Sequence, residues 1–126
     1  MIKYVEEQAH RQFVKGKQLL DSGRYEEAIQ IFTELIQISE SSLEDKAAKI
    51  TYETSLNNRG VAKCEIGWDR RNRELFIEGL KDYEESVRTS GEEAGTPTLV
   101  AKGNLDYGRK QLEIFDQPRS KGFKAV

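Results

Sequence analysis

"LLDSGRYEEAIQIFTELI", residues 19–36, carries apolar residues on a helical beat on both sides of an Asp-Ser-Gly break. Downstream of the break, Tyr25, Ala28, Ile29, Phe32, Leu35 and Ile36 recur at offsets of 3, 4, 7, 10 and 11, which is one face of a helix. Upstream, from about Val5 to Leu20, the residues Ala9, Phe13, Gly16 or Lys17 and Leu20 also fall three or four apart. Asp21, Ser22 and Gly23 end that first helix, glycine being the residue that tolerates a positive φ beyond a helix terminus. Two apolar stripes joined by about three residues must fold back antiparallel, because so short a link cannot carry the chain elsewhere. The helical hairpin is therefore the building unit.

Further along, residues 39–45 are polar, and Ser42 followed by Asp45 resembles a capping box. A third helix is expected from about Leu43 to Ile66, burying Ala47, Ile50, Leu56 and Cys64, with a break near Thr54 because the segment is long. After Gly67 the stretch "WDRRNRE" has no period and reads as a loop, with Trp68 tucked against the next helix. Leu75, Phe76, Leu80, Tyr83 and Val87 then define a fourth helix to about Thr89. "SGEEAGTP" reads as a loop, with Thr96 as N-cap and Pro97 at the first helical position. The fifth helix carries Leu99, Val100, Tyr107, Leu112 and Phe115 and ends near Ile114. Residues 1–115 thus form one helical domain and residues 116–126 a loose tail.

At 126 residues the chain has room for a single modest core. Charged residues make up 33%, apolar ones 37%, and the mean hydropathy is -0.72, which suits helices with wide wetted faces. The net charge of -2, with both signs interspersed, supplies no steering toward nucleic acid or acidic membranes. The N-terminal residues lack an apolar signal region, and no apolar run approaches the ~20 residues that span a bilayer. The one cysteine, Cys64, cannot form an internal disulfide and suits a reducing compartment, so the cytoplasm is the expected location.

The segments "FVKGKQLLDSGRYEEAIQIF" and "LNNRGVAKCEIG" plus "ELFIEGLKDYEESV" are self-similar: Gly16 precedes Gly23 by seven residues, as Gly60 precedes Gly67. With Gly16, Leu19, Gly23, Tyr25, Ala28 and Phe32 at that family's spacings, the chain resembles the tetratricopeptide repeat, a helix-turn-helix unit of 34 residues. Gln12 and Lys15 stand where the family has Trp and Leu; in the second unit Leu56, Arg59 and Lys63 replace Trp, Leu and Tyr, and Gly79 and Tyr83 take the Ala-x-x-x-Phe positions. Unit two is longer by about seven residues, assigned to residues 68–74. Leu99 and Gly103 suggest a third first-helix without a second, serving as a cap. The resemblance covers about two and a half units. It implies an all-α right-handed superhelical array of stacked hairpins with a C-terminal capping helix.

The resemblance further implies that the first helices line a concave groove binding a peptide or helical segment of a partner protein. Aligned on Gly16, Gly60 and Gly103, that groove shows Phe13, Lys17, Leu20, Asn57, Asn58, Val61, Cys64, Val100, Asn104 and Tyr107. Asn side chains hold a peptide backbone through paired donor and acceptor; Phe13, Leu20 and Val100 equally suit plain helix packing. One branch of the family grips chaperone C-terminal carboxylates with Lys, Arg and Asn; here Phe13, Lys17, Pro97 and Ala101 fill four of those positions and only Asn58 agrees.

The lone His10 lacks the Lys-Gly neighbours of phosphotransfer histidines, and Cys64 has no base nearby in sequence. No phosphate loop, HExxH motif or cysteine pair occurs, so no enzyme activity, metal or cofactor is expected. Arg70, Arg71 and Arg73 would need the tail's basic residues to hold nucleic acid. The expectation is a protein-binding module with neither a nucleic-acid nor a membrane partner. The alternative is a structural or assembly subunit, or a self-associating scaffold, without a free groove.

Overall fold

The computed structural model describes residues 4–90 and 96–118. They form five helices, α1 (Glu6–Asp21), α2 (Tyr25–Glu40), α3 (Lys46–Asp69), α4 (Arg73–Ser90) and α5 (Thr96–Glu113), with no strand among them. Each helix packs on the next; in addition α1 touches α3 and α3 touches α5. Neither α1 nor α2 touches α4 or α5. The described helices thus step outward from α3 and do not close into a ring.

The two three-residue turns are built alike. In the first, the N–H groups of Ser22, Gly23 and Arg24 donate to the carbonyls of Gln18, Leu20 and Leu19; in the second, those of Arg70, Arg71 and Asn72 donate to Ile66, Trp68 and Gly67. This is the Schellman arrangement, whose residue after the C-cap takes a positive φ. Gly23 has φ 78°, and Arg71, at the matching position, has φ 54°. The Gly23–Gly67 equivalence read from the sequence is thereby corrected. Gly67 is buried inside α3, where an added Cβ would lie 2.6 Å from the nitrogen of Phe76.

The seven extra residues of the second hairpin do not form a loop. Trp68 belongs to α3, Arg73 and Glu74 belong to α4, and only residues 70–72 lie between. Gly16 stands five residues before the end of α1 and Phe32 seven after the start of α2; Gly60 stands nine before the end of α3 and Tyr83 ten after the start of α4. Between its packing residues and its turn, each helix of the second hairpin runs about one turn further. The hairpins recur 48 residues apart, turn to turn, against the 34 implied by the family resemblance.

Three further expectations change. Asp45, not Ser42, caps α3: its carboxylate accepts from the N–H groups of Ala47 (2.9 Å) and Ala48 (3.3 Å), so the helix starts at Lys46. The break near Thr54 is absent, its hydroxyl folding back onto the Ile50 carbonyl at 2.8 Å within a continuous helix. Ile50 is 46% exposed, and Ala48 is buried instead. For Ile50 and Ala48 the cause is that α3 packs on α1, α2, α4 and α5, so its burial is spread around the helix and leaves no single stripe to read. In α5 the buried positions are Thr98, Ala101, Leu105, Gly108 and Gln111, while Leu99, Val100 and Tyr107 are exposed. The loop expected at residues 91–95, the cap of α5, and residues 119–126 of the expected tail lie outside the described residues.

Two cores meet at α3. Ala9, Leu20, Ala28, Phe32, Leu35 and Ala62 form one, with the Phe13 ring edge-on to Phe32 at 5.9 Å. Cys64, Trp68, Phe76, Leu80, Tyr83, Leu105 and Phe115 form the other, where Trp68 lies 6.0 Å from Phe76 and 5.7 Å from Phe115. Val61 packs against both. Arg59 joins three helices on another face of α3: its guanidinium holds Asp82 at 2.8 Å through two nitrogens and donates to the Thr33 hydroxyl at 3.3 Å.

Candidate functional site: the inner faces of α1, α3 and α5

The contacts run in the same order along α1, α3 and α5, so these helices run in the same direction. Two hydrogen bonds fix their register. The hydroxyls of Tyr4 and Thr51 meet at 3.0 Å, and the Asn104 amide donates to the Asn57 carbonyl at 3.0 Å; both pairs are 47 residues apart. On α3, Ile50, Thr54, Asn57, Asn58, Val61 and Glu65 share one face by helical spacing, as do Val100, Asn104, Tyr107 and Gln111 on α5.

Two hollows lie along these faces. A cleft of about 720 Å³ opens between the first halves of α1 and α3, with Ala9, Phe13, Ala47 and Ile50 supplying apolar wall, His10, Thr51 and Thr54 polar groups, and Glu6 and Glu7 carboxylates. A smaller pocket of about 230 Å³ lies between α3 and α5, lined by Val61, Cys64, Glu65, Tyr83, Asn104, Tyr107, Gly108 and Gln111.

The residues expected from the sequence divide accordingly. Val61, Cys64, Asn104 and Tyr107 come together in the small pocket with Asn57 bonded at its edge, and Phe13 lines the cleft. Asn58 is half-buried on the α3 stripe between the hollows, and Val100 is 48% exposed on α5. Leu20 does not belong: it is buried in the first core. Lys17 lines neither hollow and faces Asp21 at 3.7 Å. The alignment on Gly103 also shifts, because Gly103 has open space around it, whereas a Cβ on Gly108 would lie 2.3 Å from Leu80. The glycine alignment missed His10, Ile50, Glu65 and Gln111; the readable signal was a polar Gln111 three residues beyond a packing glycine.

Burial pushes the Cys64 thiol up to about 12, against a lowering hydrogen bond from Tyr83, so it stays protonated at neutral pH. Its Sγ lies 3.6 Å from the Phe76 carbonyl. The Tyr83 hydroxyl is raised as well, first by burial and then by Cys64. Glu65 is raised by burial and, secondarily, by the Asp69 carboxylate. The pocket therefore places a protonated thiol and phenol beside a carboxylate.

Among the described residues no group of three or more His, Cys, Asp or Glu side chains could hold a metal ion, and no helix is long and apolar enough to cross a membrane. Arg70 pairs with Glu26 at 2.7 Å and Arg73 with Asp116 at 3.7 Å, so both side chains face carboxylates. Compared with protein-family models, curated proteins and solved structures, the chain matches none.

Proposed function

We propose that the protein is an interaction module resembling tetratricopeptide-repeat proteins, which holds a peptide or helical segment of a partner protein along the inner faces of α1, α3 and α5. The observation that carries this reading is the alignment of the 720 Å³ cleft and the smaller pocket along one stripe of α3. Apolar wall beside fixed polar groups is the make-up of a peptide site: Phe13 and Ile50 supply anchoring surface, and Asn58 and Asn104 supply hydrogen bonds to backbone. An affinity in the micromolar range, roughly -8 kcal/mol, is ordinary for such a groove. The buried lone thiol suits a cytoplasmic setting, and α5 is the proposed cap of the array. Neither catalysis nor a cofactor is part of this reading.

The test is selection of binding peptides from a random display library, followed by titration. Ile50 is half-exposed, so Ile50→Asp leaves the core intact. It weakens selected peptides at least about tenfold if they occupy the cleft; undiminished binding refutes the assignment.

A second reading, a self-associating scaffold, is favoured by α5, where Leu99 is 62% exposed beside Val100 and the open Gly103. Sedimentation distinguishes it: a concentration-dependent mass that Leu99→Glu abolishes supports self-association, and a constant monomer mass refutes it.

A further inference from the structure

We propose that the pocket between α3 and α5 receives a guanidinium, the side chain of an arginine carried by the partner segment; this rests on the peptide-binding reading above. Two polar groups on facing helices carry the inference. Gln111 is 7% exposed, and its amide nitrogen is buried with no hydrogen-bond partner. On α5 it stands one turn beyond Gly108, at the edge of the buried stripe, where an apolar side chain would pack at no such cost. Leaving a buried amide donor unpaired costs about 1–3 kcal/mol; turned by half a rotation, the amide puts its carbonyl in that place, where it accepts from a donor-only ligand.

Facing it, Glu65 is half-buried on α3, and among the described residues its carboxylate makes no ion pair. Burial raises the proton affinity of Glu65, and the like charge of Asp69 adds to it. A cation between Glu65 and Gln111 removes that penalty.

The other lining groups narrow the choice. Asn104 spends its amide nitrogen on Asn57, which leaves its carbonyl as an acceptor toward the pocket. The Gln111 amide, turned by half a rotation, offers a second carbonyl. Tyr83 and Tyr107 supply aromatic surface. Two carboxylate oxygens, two carbonyls and aromatic rings suit a planar, five-donor cation that stacks. A phosphate or carboxylate ligand would meet Glu65 and Asp69 as like charges, and a purely apolar one would leave Glu65 and Gln111 uncompensated.

Size separates a side chain from a free ligand. At about 230 Å³ the pocket is smaller than the roughly 300–1,000 Å³ of sites that enclose whole small molecules. It lies in line with the cleft: from Ile50 to Glu65 is fifteen residues of helix, about 22 Å. An apolar anchor in the cleft and the arginine are therefore about seven residues apart in an extended partner segment.

The experiment uses Nα-acetyl-arginine methylamide, with the neutral isostere Nα-acetyl-citrulline methylamide as control, each titrated into isotopically labelled full-length protein. The expected result is saturable movement of the Asn104 and Gln111 side-chain amide signals with the arginine derivative. Citrulline binds at least about tenfold more weakly, because it lacks the charge-assisted bonds. Glu65→Gln, which removes the charge and keeps the shape, abolishes the movement of Asn104. Gln111→Leu, of similar volume, removes the second carbonyl and also abolishes it, with helicity by circular dichroism unchanged in both variants.

No saturation up to tens of millimolar, equal response to citrulline, or an undiminished response in Glu65→Gln overturns the proposal. Display-selected peptides that occupy the cleft and bind equally with arginine replaced by citrulline would sink this inference and leave the peptide-binding reading standing. Arginine binding at Glu65 without any segment binding along the cleft would do the reverse.

Discussion

The two helical hairpins share one turn and differ in how they are held together. In the α1/α2 hairpin, Gly16 faces side chains only: an added Cβ would lie 2.8 Å from the Phe32 ring and 3.1 Å from Ile31. In the α3/α4 hairpin the backbones themselves meet, since a Cβ on Gly60 or on Gly79 would stand 2.8 Å from the other's carbonyl oxygen. The first hairpin has the exposed pair Arg24–Glu27, the second the buried pair Arg59–Asp82. Gly23 holds the first turn and Arg71 the second, at the same place in the same hydrogen-bond pattern. The bond pattern thus dictates the turn, and residue type adjusts what it costs.

The sharpest way to break the comparison is to remove one carboxylate from each hairpin. Asp82→Ala leaves Arg59 in a site where it is 18% exposed and lowers stability by about 3–5 kcal/mol, read from urea unfolding. Glu27→Ala, from a pair 60% and 51% exposed, costs at most about 1 kcal/mol. Equal losses would mean that the buried pair is not the clasp described.

The glycines come next. Gly60→Ala forces backbones apart and destabilises by about 1–3 kcal/mol. Gly16→Ala costs less, because rotation of the Phe32 ring relieves part of the clash and alanine regains up to about 1 kcal/mol of helix propensity.

The turns sharpen the comparison in opposite directions. Arg71→Gly relieves a left-handed residue and stabilises by up to about 1 kcal/mol, whereas Gly23→Ala costs about 1–2 kcal/mol, both by thermal melts.

The smallest effect is a pH tilt from the second hairpin. Burial raises both Glu53 and Glu65 above the usual 4.5, with Lys49 partly opposing at Glu53. The folded state therefore binds these protons more tightly than the unfolded chain does, so their contribution to stability is full below 4.5 and is lost as pH rises through the raised values. Glu53→Gln with Glu65→Gln flattens the slope of the urea midpoint between pH 4.5 and neutrality; an unchanged slope contradicts the burial of these groups.

The first hairpin was legible because each of its signals is local: a single stripe on α2, and a glycine at the turn. The second was obscured by α3. A helix packed on four neighbours shows no dominant stripe, so Ile50 was expected inside and Ala48 was overlooked. Gly67 imitated a terminator although its role is close packing on Phe76, while the true turn residue, Arg71, carries no signal of left-handed backbone. In α5 the packing falls to Thr98, Ala101 and Gly108, whose small size gives weak hydropathy, and the large Leu99 and Val100 drew attention to the outer side.

Some of the clustering around the small pocket was readable all the same. Alignment on Gly60 gathered Asn57, Val61 and Cys64 with Asn104 and Tyr107 because the helix period tolerates a shift of one turn. Lys17 and Leu20 line neither hollow, since Lys17 faces Asp21 and Leu20 lies in the first core; the 47-residue register of Tyr4–Thr51 and Asn57–Asn104 is marked by no glycine.

The most direct test of the groove is to map a display-selected peptide on the labelled full-length protein by backbone amide shifts. The account predicts that perturbed amides cluster on α1, α3 and α5 around Phe13, Thr54, Asn58 and Asn104. Perturbations concentrated instead on the outer surfaces of α2 and α4, around Gln30, Glu34 and Lys81, would contradict it.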